Sequence, residues 1–334
     1  MEHFTINGSL FLAFAEFVYY LKSNSTIYKM DESTGRFKLY QTLQNNGSLD
    51  IEYFTIGKKH FLAVDSIYHG TNDLYAGTNF SPHCLIYQWN GKLFVVIQKI
   101  PRKAQSRFTF FTINGDKYLA VSNLQSWRRP TEPHAFIYKW TGSQFNKFQE
   151  VATEADVGCD AFEINYETFI AFANANYSQQ SAVFKWIGER FVKVQSLHTF
   201  GAYNVKSFQI NGHTFLAFSD DFKKKNDSFI FKWNGNKFDL FQSIPTRGAR
   251  ALHPFVISGQ TFLGVVNTLG ENEKFNTKSV VYQASGSRFV NYQEIPTHGA
   301  VDMTTFEYKG DTYLAVANFL DEKKFTISVL YKWV

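Results

Sequence analysis

Cysteine is nearly missing from this chain of 334 residues. There are two, Cys84 and Cys159, too few for a disulfide framework and without histidines at zinc-ligand spacing. Proline is scarce too, at seven. Charged residues reach only 19%, with 34 basic against 29 acidic for a net +5. That balance supplies no dense basic stripe of the kind a nucleic-acid binder carries. Lys223-Lys224-Lys225 and Arg128-Arg129 are short and separated and read as solvated loop charge. No apolar run approaches the roughly 20 residues of a membrane helix, so membrane insertion is not expected. The opening MEHFTINGS lacks the charged start and apolar stretch of a secretory signal, which leaves a cytosolic protein or a mature secreted chain. There is no nucleophile elbow, no HExxH, no phosphate-binding glycine loop and no recognisable Ser/His/Asp spacing, and no enzyme is expected.

What the chain has in excess is aromatic rings, 18% of its residues, with 36 Phe and 18 Tyr. Rings and β-branched side chains suit a pleated, half-buried surface, so the composition points to an all-β fold. The rings recur in phrases. FTINGSLFLAF at residue 4 returns as FTINGDKYLAV at 111, FQINGHTFLAF at 208 and FEYKGDTYLAV at 306. Aligned on its first Phe, the phrase occurs at Phe4, Phe54, Phe111, Phe162, Phe208, Phe255 and Phe306, with spacings of 46 to 57 residues. A second phrase of the IYKW type follows each time, and a third, Phe-x-x-x-Gln, closes six of the seven units.

Each unit therefore reads as four short antiparallel strands. A and B are joined at Asn-Gly or a relative, the strongest short hairpin signal; C and D are joined at a Gly-centred turn. Seven such units predict a seven-bladed β-propeller forming one domain over 1–334. Its repeats run approximately 1–49, 50–104, 105–155, 156–201, 202–249, 250–300 and 301–334. Because the last unit stops after strand C, 27 strands are expected and a three-stranded last blade.

Residues repeated at one blade position do one job in every blade. Trp89, Trp140, Trp186, Trp233 and Trp333, at the end of strand C, are expected to pack between blades rather than form an aromatic cage. The recurrent Gln of strand D is expected to bond linker backbone, since a part-buried amide needs partners. Function is expected where the units differ, in the B–C loops, which are long and unalike in blades two, three and six. Tyr68, Tyr75, Trp127, Arg128 and Arg129 are the candidate contacts there, as aromatics and Arg make the strongest interface anchors. Glu16, Asn123, Asn174, Asp220, Asn267 and Asn318 recur at the end of strand B. They are the alternative, sugar-binding set of a multivalent lectin, set against a plain role in holding the B–C loop. Asp50, Glu52, Asp160 and Asp302 lie at or near the start of an innermost strand A, where paired carboxylates could hold a hard cation such as Ca²⁺. An enzyme using the same channel mouth is the third reading.

The composite phrase FTINGxxYLAVSN…IYKWxGxxFxxFQxIPTxGA, best seen in residues 106–155 and 205–250, resembles the EPTP repeat, also called the EAR or epitempin-associated repeat. The resemblance covers essentially the whole chain; the repeat forms the propeller half of the leucine-rich glioma-inactivated proteins and occurs in other extracellular proteins. It implies a secreted, extracellular seven-bladed propeller that binds other proteins at cell surfaces without catalysis. Six Asn-x-Ser/Thr sequons, at Asn7, Asn24, Asn46, Asn79, Asn176 and Asn226, lean the same way.

Overall fold

The computed structural model describes residues 1–16, 23–66, 83–101, 107–122, 135–153, 156–176, 180–220, 226–270, 274–319 and 327–334. Among these described residues 27 strands make seven antiparallel sheets, each with its strands in chain order, six of four strands and a last of three. This is the expected seven-bladed β-propeller. The chain divides into two compact units, Met1–Ala155 with blades one to three and Asp156–Val334 with blades four to seven.

Blade five shows how the phrases become strands. Strand A is Ala202–Ile210, B is His213–Asp220, C is Asn226–Trp233 and D is Phe238–Thr246. Between A and B, Asn211 and Gly212 have φ of 50° and 78°, the left-handed pair of a type I′ turn, whose twist matches that of the strands it joins. Blade four departs from this pattern. Its turn is Asn165-Tyr166 at φ 51° and 64°, so a bulky ring occupies a conformation that Gly adopts freely and other L residues adopt at a cost of about 1–2 kcal/mol.

Between C and D the pairing slips by one residue at the same point in six blades. In blade five Ile230 faces Gln242 while Phe231 faces Leu240, so Phe241 is the extra residue. The same slip recurs at Ile27/Tyr28, Ile86/Tyr87, Ile137/Tyr138, Val183/Phe184 and Val281/Tyr282. A bulge bends its strand and re-aims the next side chain, and here the next side chain is always the repeated Gln.

Within each unit the apolar cores lie between successive blades. Phe162, Phe169 and Val183 of blade four pack with Val205, Leu216 and Phe238 of blade five. Blades five and six, and six and seven, share equivalent clusters, as do blades one and two, and two and three. The strand-A Phe stacks on the strand-B Phe of its own blade and meets the strand-D Phe of the next blade edge-on. For Phe162 these centroid distances are 5.6 Å to Phe169 and 5.9 Å to Phe238. Trp89, Trp140 and Trp233 pack on Phe11, Phe61 and Phe169 of the preceding blade, which bears out the packing role expected of the strand-C Trp. Volume is conserved locally as well. Six blades carry Ala in mid strand B, but blade six carries Gly264, where a Cβ would stand 2.2 Å from the sulfur of Met303 in blade seven.

Candidate functional site

Neighbouring blades in each unit meet along seams fastened by an inner hydrogen-bonded clasp, an outer one, or both. The outer clasp is the strand-D Gln. Gln195 Nε2 donates to the Phe238 carbonyl at 2.7 Å, and its Oε1 accepts the Phe238 N–H at 2.8 Å. Gln41 does the same with Phe94, Gln98 with Phe145 and Gln242 with Phe289. The partner is thus the first residue of the next blade's strand D, not the D–A linker expected from sequence. The bulge before the Gln swings the amide outward across the seam.

The inner clasp uses the residue two before the strand-A Phe, which accepts the N–H of the residue one before the next strand-A Phe. Glu52 Oε1 accepts from Phe110 at 2.9 Å, and Asp50 Oδ2 accepts from Phe108 at 2.8 Å. Asp160 Oδ2 takes both the N–H and the hydroxyl of Ser207, at 2.7 and 2.6 Å. His253 Nε2 accepts the Thr305 N–H at 3.1 Å, which places that ring's proton on Nδ1. Between blades five and six the acceptor position is Lys206 and the donor position is Pro254, so neither half of the bond exists.

These clasps account for three of the four residues considered as cation ligands. Asp50, Glu52 and Asp160 spend a carboxylate oxygen on a neighbour's backbone, and Lys206 Nζ lies 3.8 Å from Asp160. Asp302 accepts the N–H of Met303 at 2.9 Å. Among the described residues no group of three or more His, Cys, Asp or Glu side chains could hold a metal ion.

The strand-B ends are committed in a similar way. Asn267 Oδ1 accepts the Arg247 N–H at 3.1 Å and its Nδ2 donates to the Lys278 carbonyl at 2.9 Å. Asn318 repeats this with His298 N–H and the Ile327 carbonyl. Asn174 accepts the Asn176 N–H, Glu16 accepts the Thr26 hydroxyl, and Asp220 is buried, its N–H on Ser228 Oγ. The amides of Asn267 and Asn318 thus tie the linker before strand A to the chain leading into strand C. Beneath them lies a feature sequence reading passed over. Ser181, Ser228 and Ser279 pair by hydroxyl with Thr199, Thr246 and Thr297, each 18 residues on. The signal was present as that fixed spacing.

Both cysteines are buried. Tyr68, Tyr75, Trp127, Arg128, Arg129 and Asn123 lie outside the described residues. In the second unit, an open groove of about 1000 Å³ runs between the A–B turn of blade four and the turns of blade five, lined by Tyr166, Trp233, Asp239 and Phe241 among others. It lies at the glycine turns, not among the B–C loops.

The model of the EPTP domain matches seven consecutive segments, residues 1–31, 36–90, 93–141, 144–187, 190–234, 237–283 and 288–334. The chain belongs to the EPTP family. An EPTP unit is offset from a blade: each full segment opens with strand D of one blade and continues through A, B and C of the next. Among curated proteins the chain is similar to the thrombospondin-type laminin G domain and EAR repeat-containing protein of Mus musculus. Identity is 29% over 344 residues, covering 100% of this chain and 43% of that protein. The Homo sapiens protein of the same name is 31% identical, over 93% of this chain and 41% of its own length. The EPTP chain thus spans less than half of the curated relatives it matches. Among solved structures it is similar in fold to the periplasmic gluconolactonase PpgL of Pseudomonas aeruginosa. The TM-score there is 0.60 at 15% identity, over 87% of this chain and 83% of that one. Sqt1 of Saccharomyces cerevisiae gives 0.58 at 11%, over 92% and 78%. At such identities these likenesses concern the fold alone.

Proposed function

We propose that this EPTP propeller is a non-enzymatic recognition module that acts outside the cell and binds a protein or cell-surface ligand through its B–C loops. One observation carries the reading. The polar residues that repeat from blade to blade are consumed by the scaffold: Gln195 and its equivalents, Asp50, Glu52 and Asp160, and Asn267 and Asn318 all bond backbone. A channel-mouth enzyme would need Glu52 or Asp160 for turnover, and a multivalent lectin would need the strand-B amides, so both would draw on groups already in use. The B–C loops are the part of each unit that does not repeat, and unrepeated loops on a rigid scaffold are the usual seat of binding. The extracellular setting is supported by the relatives, which carry a thrombospondin-type laminin G domain beside the EAR repeats, and by an exposed sequon at Asn7.

The test is binding of the purified chain to intact cells and to a glycan array. One saturable site per chain on cells is expected, weakened at least tenfold by Trp127→Ala or Arg128→Ala, with a blank array. Several sugar sites per chain would replace this reading with the lectin, and unchanged binding by both variants would remove the loop assignment.

A further inference from the structure

In each of the six four-stranded blades strand D is the last strand of its sheet, so one side of its backbone faces away from strand C. Five of the six keep a polar or charged residue among the three between the strand-D Phe and Gln: Lys38, Lys147, Lys193, Asp239 and Asn291. Strand D of blade two, Phe94–Pro101, has Val95, Val96 and Ile97 there instead. The difference shows on the surface. Leu39, Phe148, Val194, Leu240 and Tyr292 are each the single large exposed apolar residue of their strand D. Val95, Val96 and Ile97 are all exposed, at 40, 41 and 40%, and Leu93 before them at 37%. Single exposed apolar residues are ordinary, but a contiguous run along a sheet edge marks a contact surface.

The backbone at this edge is aimed outward. Gln41 of blade one holds both the N–H and the carbonyl of Phe94. Both groups therefore point away from strand C, and alternation turns those of Val96 the same way. Charge completes the site. The hairpin of strands C and D in blade two, residues 83–101, contains Lys92 and Lys99 and no carboxylate, whereas the same hairpin in each of the other five blades carries at least one. In those hairpins Lys38, Lys147, Lys237 and Lys278 pair with Asp31, Glu150, Asp239 and Glu294. Lys92 and Lys99 are exposed and stand at the two ends of the aliphatic run, about 24 Å apart along an extended chain.

We propose that the outer edge of blade two is a strand-addition site for another protein. Its occupant is an extended segment, aliphatic at its centre and carrying carboxylates at both ends. The main chain of that segment pairs with Val96 and its neighbours, its side chains cover Val95, Val96 and Ile97, and its carboxylates meet Lys92 and Lys99. Main-chain pairing gives such a site affinity, and side-chain fit and charge give it selectivity. A second copy of the chain fits less well. Antiparallel self-pairing about Val96 would bring Lys99 of each copy beside Lys92 of the other, and like charges across a ladder destabilise it. The site lies on the outer edge of blade two and does not rest on the B–C loops.

The experiment is calorimetric titration of the 334-residue chain with the capped peptide EEVTVTVEE. One site per chain is expected. The affinity should fall about tenfold when Lys92 and Lys99 are both changed to Glu, and that variant should instead prefer the peptide with Lys in place of every Glu. Binding should be lost with Val96→Glu, or when two successive residues at the peptide's centre are N-methylated, which removes an edge donor in either register. Lys92, Val96 and Lys99 are exposed, so these variants keep the fold, which an unchanged melting temperature verifies. No saturable binding, or binding indifferent to both the charge reversal and Val96→Glu, overturns the proposal. So does a dimer in sedimentation that Val96→Glu dissociates, because a second copy would then be the occupant.

Discussion

Three seams in the second unit differ in how they are fastened. Blades four and five are held at both ends, by Asp160 on Ser207 inside and Gln195 on Phe238 outside. Blades five and six keep only the outer clasp, Gln242 on Phe289, since Lys206 and Pro254 hold the acceptor and donor positions. Blades six and seven keep only the inner one, His253 on Thr305. The apolar filling is alike in all three, so the comparison separates packing, which is common, from polar fastening, which varies.

The sharpest way to break the comparison is to remove what the seams share. Phe238→Ala should cost about 3–5 kcal/mol in urea unfolding, the range for deleting a buried ring; a loss under about 1 kcal/mol would mean the seam is not held by packing. Next come the inner clasps. Asp160→Ala should cost about 2–3 kcal/mol, because a part-buried N–H and hydroxyl lose a charged acceptor. Lys206→Ala, at the seam without an inner clasp, should stay within about 0.5 kcal/mol, and equal effects at the two positions would dissolve the distinction. At the outer clasps, Gln195→Ala should cost about 1–3 kcal/mol and Gln293→Ala within about 0.5 kcal/mol, read by the same titration.

Two smaller effects sharpen the picture away from the seams. Tyr166, 98% exposed at φ 64°, should yield about 0.5–1 kcal/mol of added stability when changed to Gly, as left-handed strain is relieved against glycine's entropy. His3, on the innermost strand of blade one, has its pKa lowered by burial. Below pH of about 6.5 the unfolded chain therefore takes up the proton before the folded one, and stability declines as pH falls through that window until His3 protonates in the folded state. His3→Gln should flatten that part of the pH profile.

The blades were legible in the sequence because their determinants are local. Asn-Gly turns, a two-residue alternation and the Phe-x-x-x-Gln phrase each act within a dozen residues, and they placed all 27 strands. The seams were legible only in part. The sequence marks Gln195 as a residue needing a partner, but the partner is chosen by a bulge at Phe241-type positions, and no phrase announces a bulge. Glu52 and Asp160 read as ligands because carboxylates in register suggest a cation. That their register instead aims them at a neighbour's N–H depends on the offset between adjacent inner strands, which lies some 50 residues away in the chain. The Lys206–Pro254 pair was visible all along as a matched absence of acceptor and donor, and becomes readable only once that offset is known.

The offset between EPTP unit and blade bears on how such a chain can change length. A segment such as 190–234 contributes the last strand of blade four and the first three of blade five. If it were excised, the strand beginning at Phe238 would simply complete blade four, and six sheets would remain with no new ragged edge. Duplication of the same segment would add one whole sheet by the same logic. Loss or gain of any one of the six full segments would therefore change the number of sheets by one and leave no further sheet short of a strand.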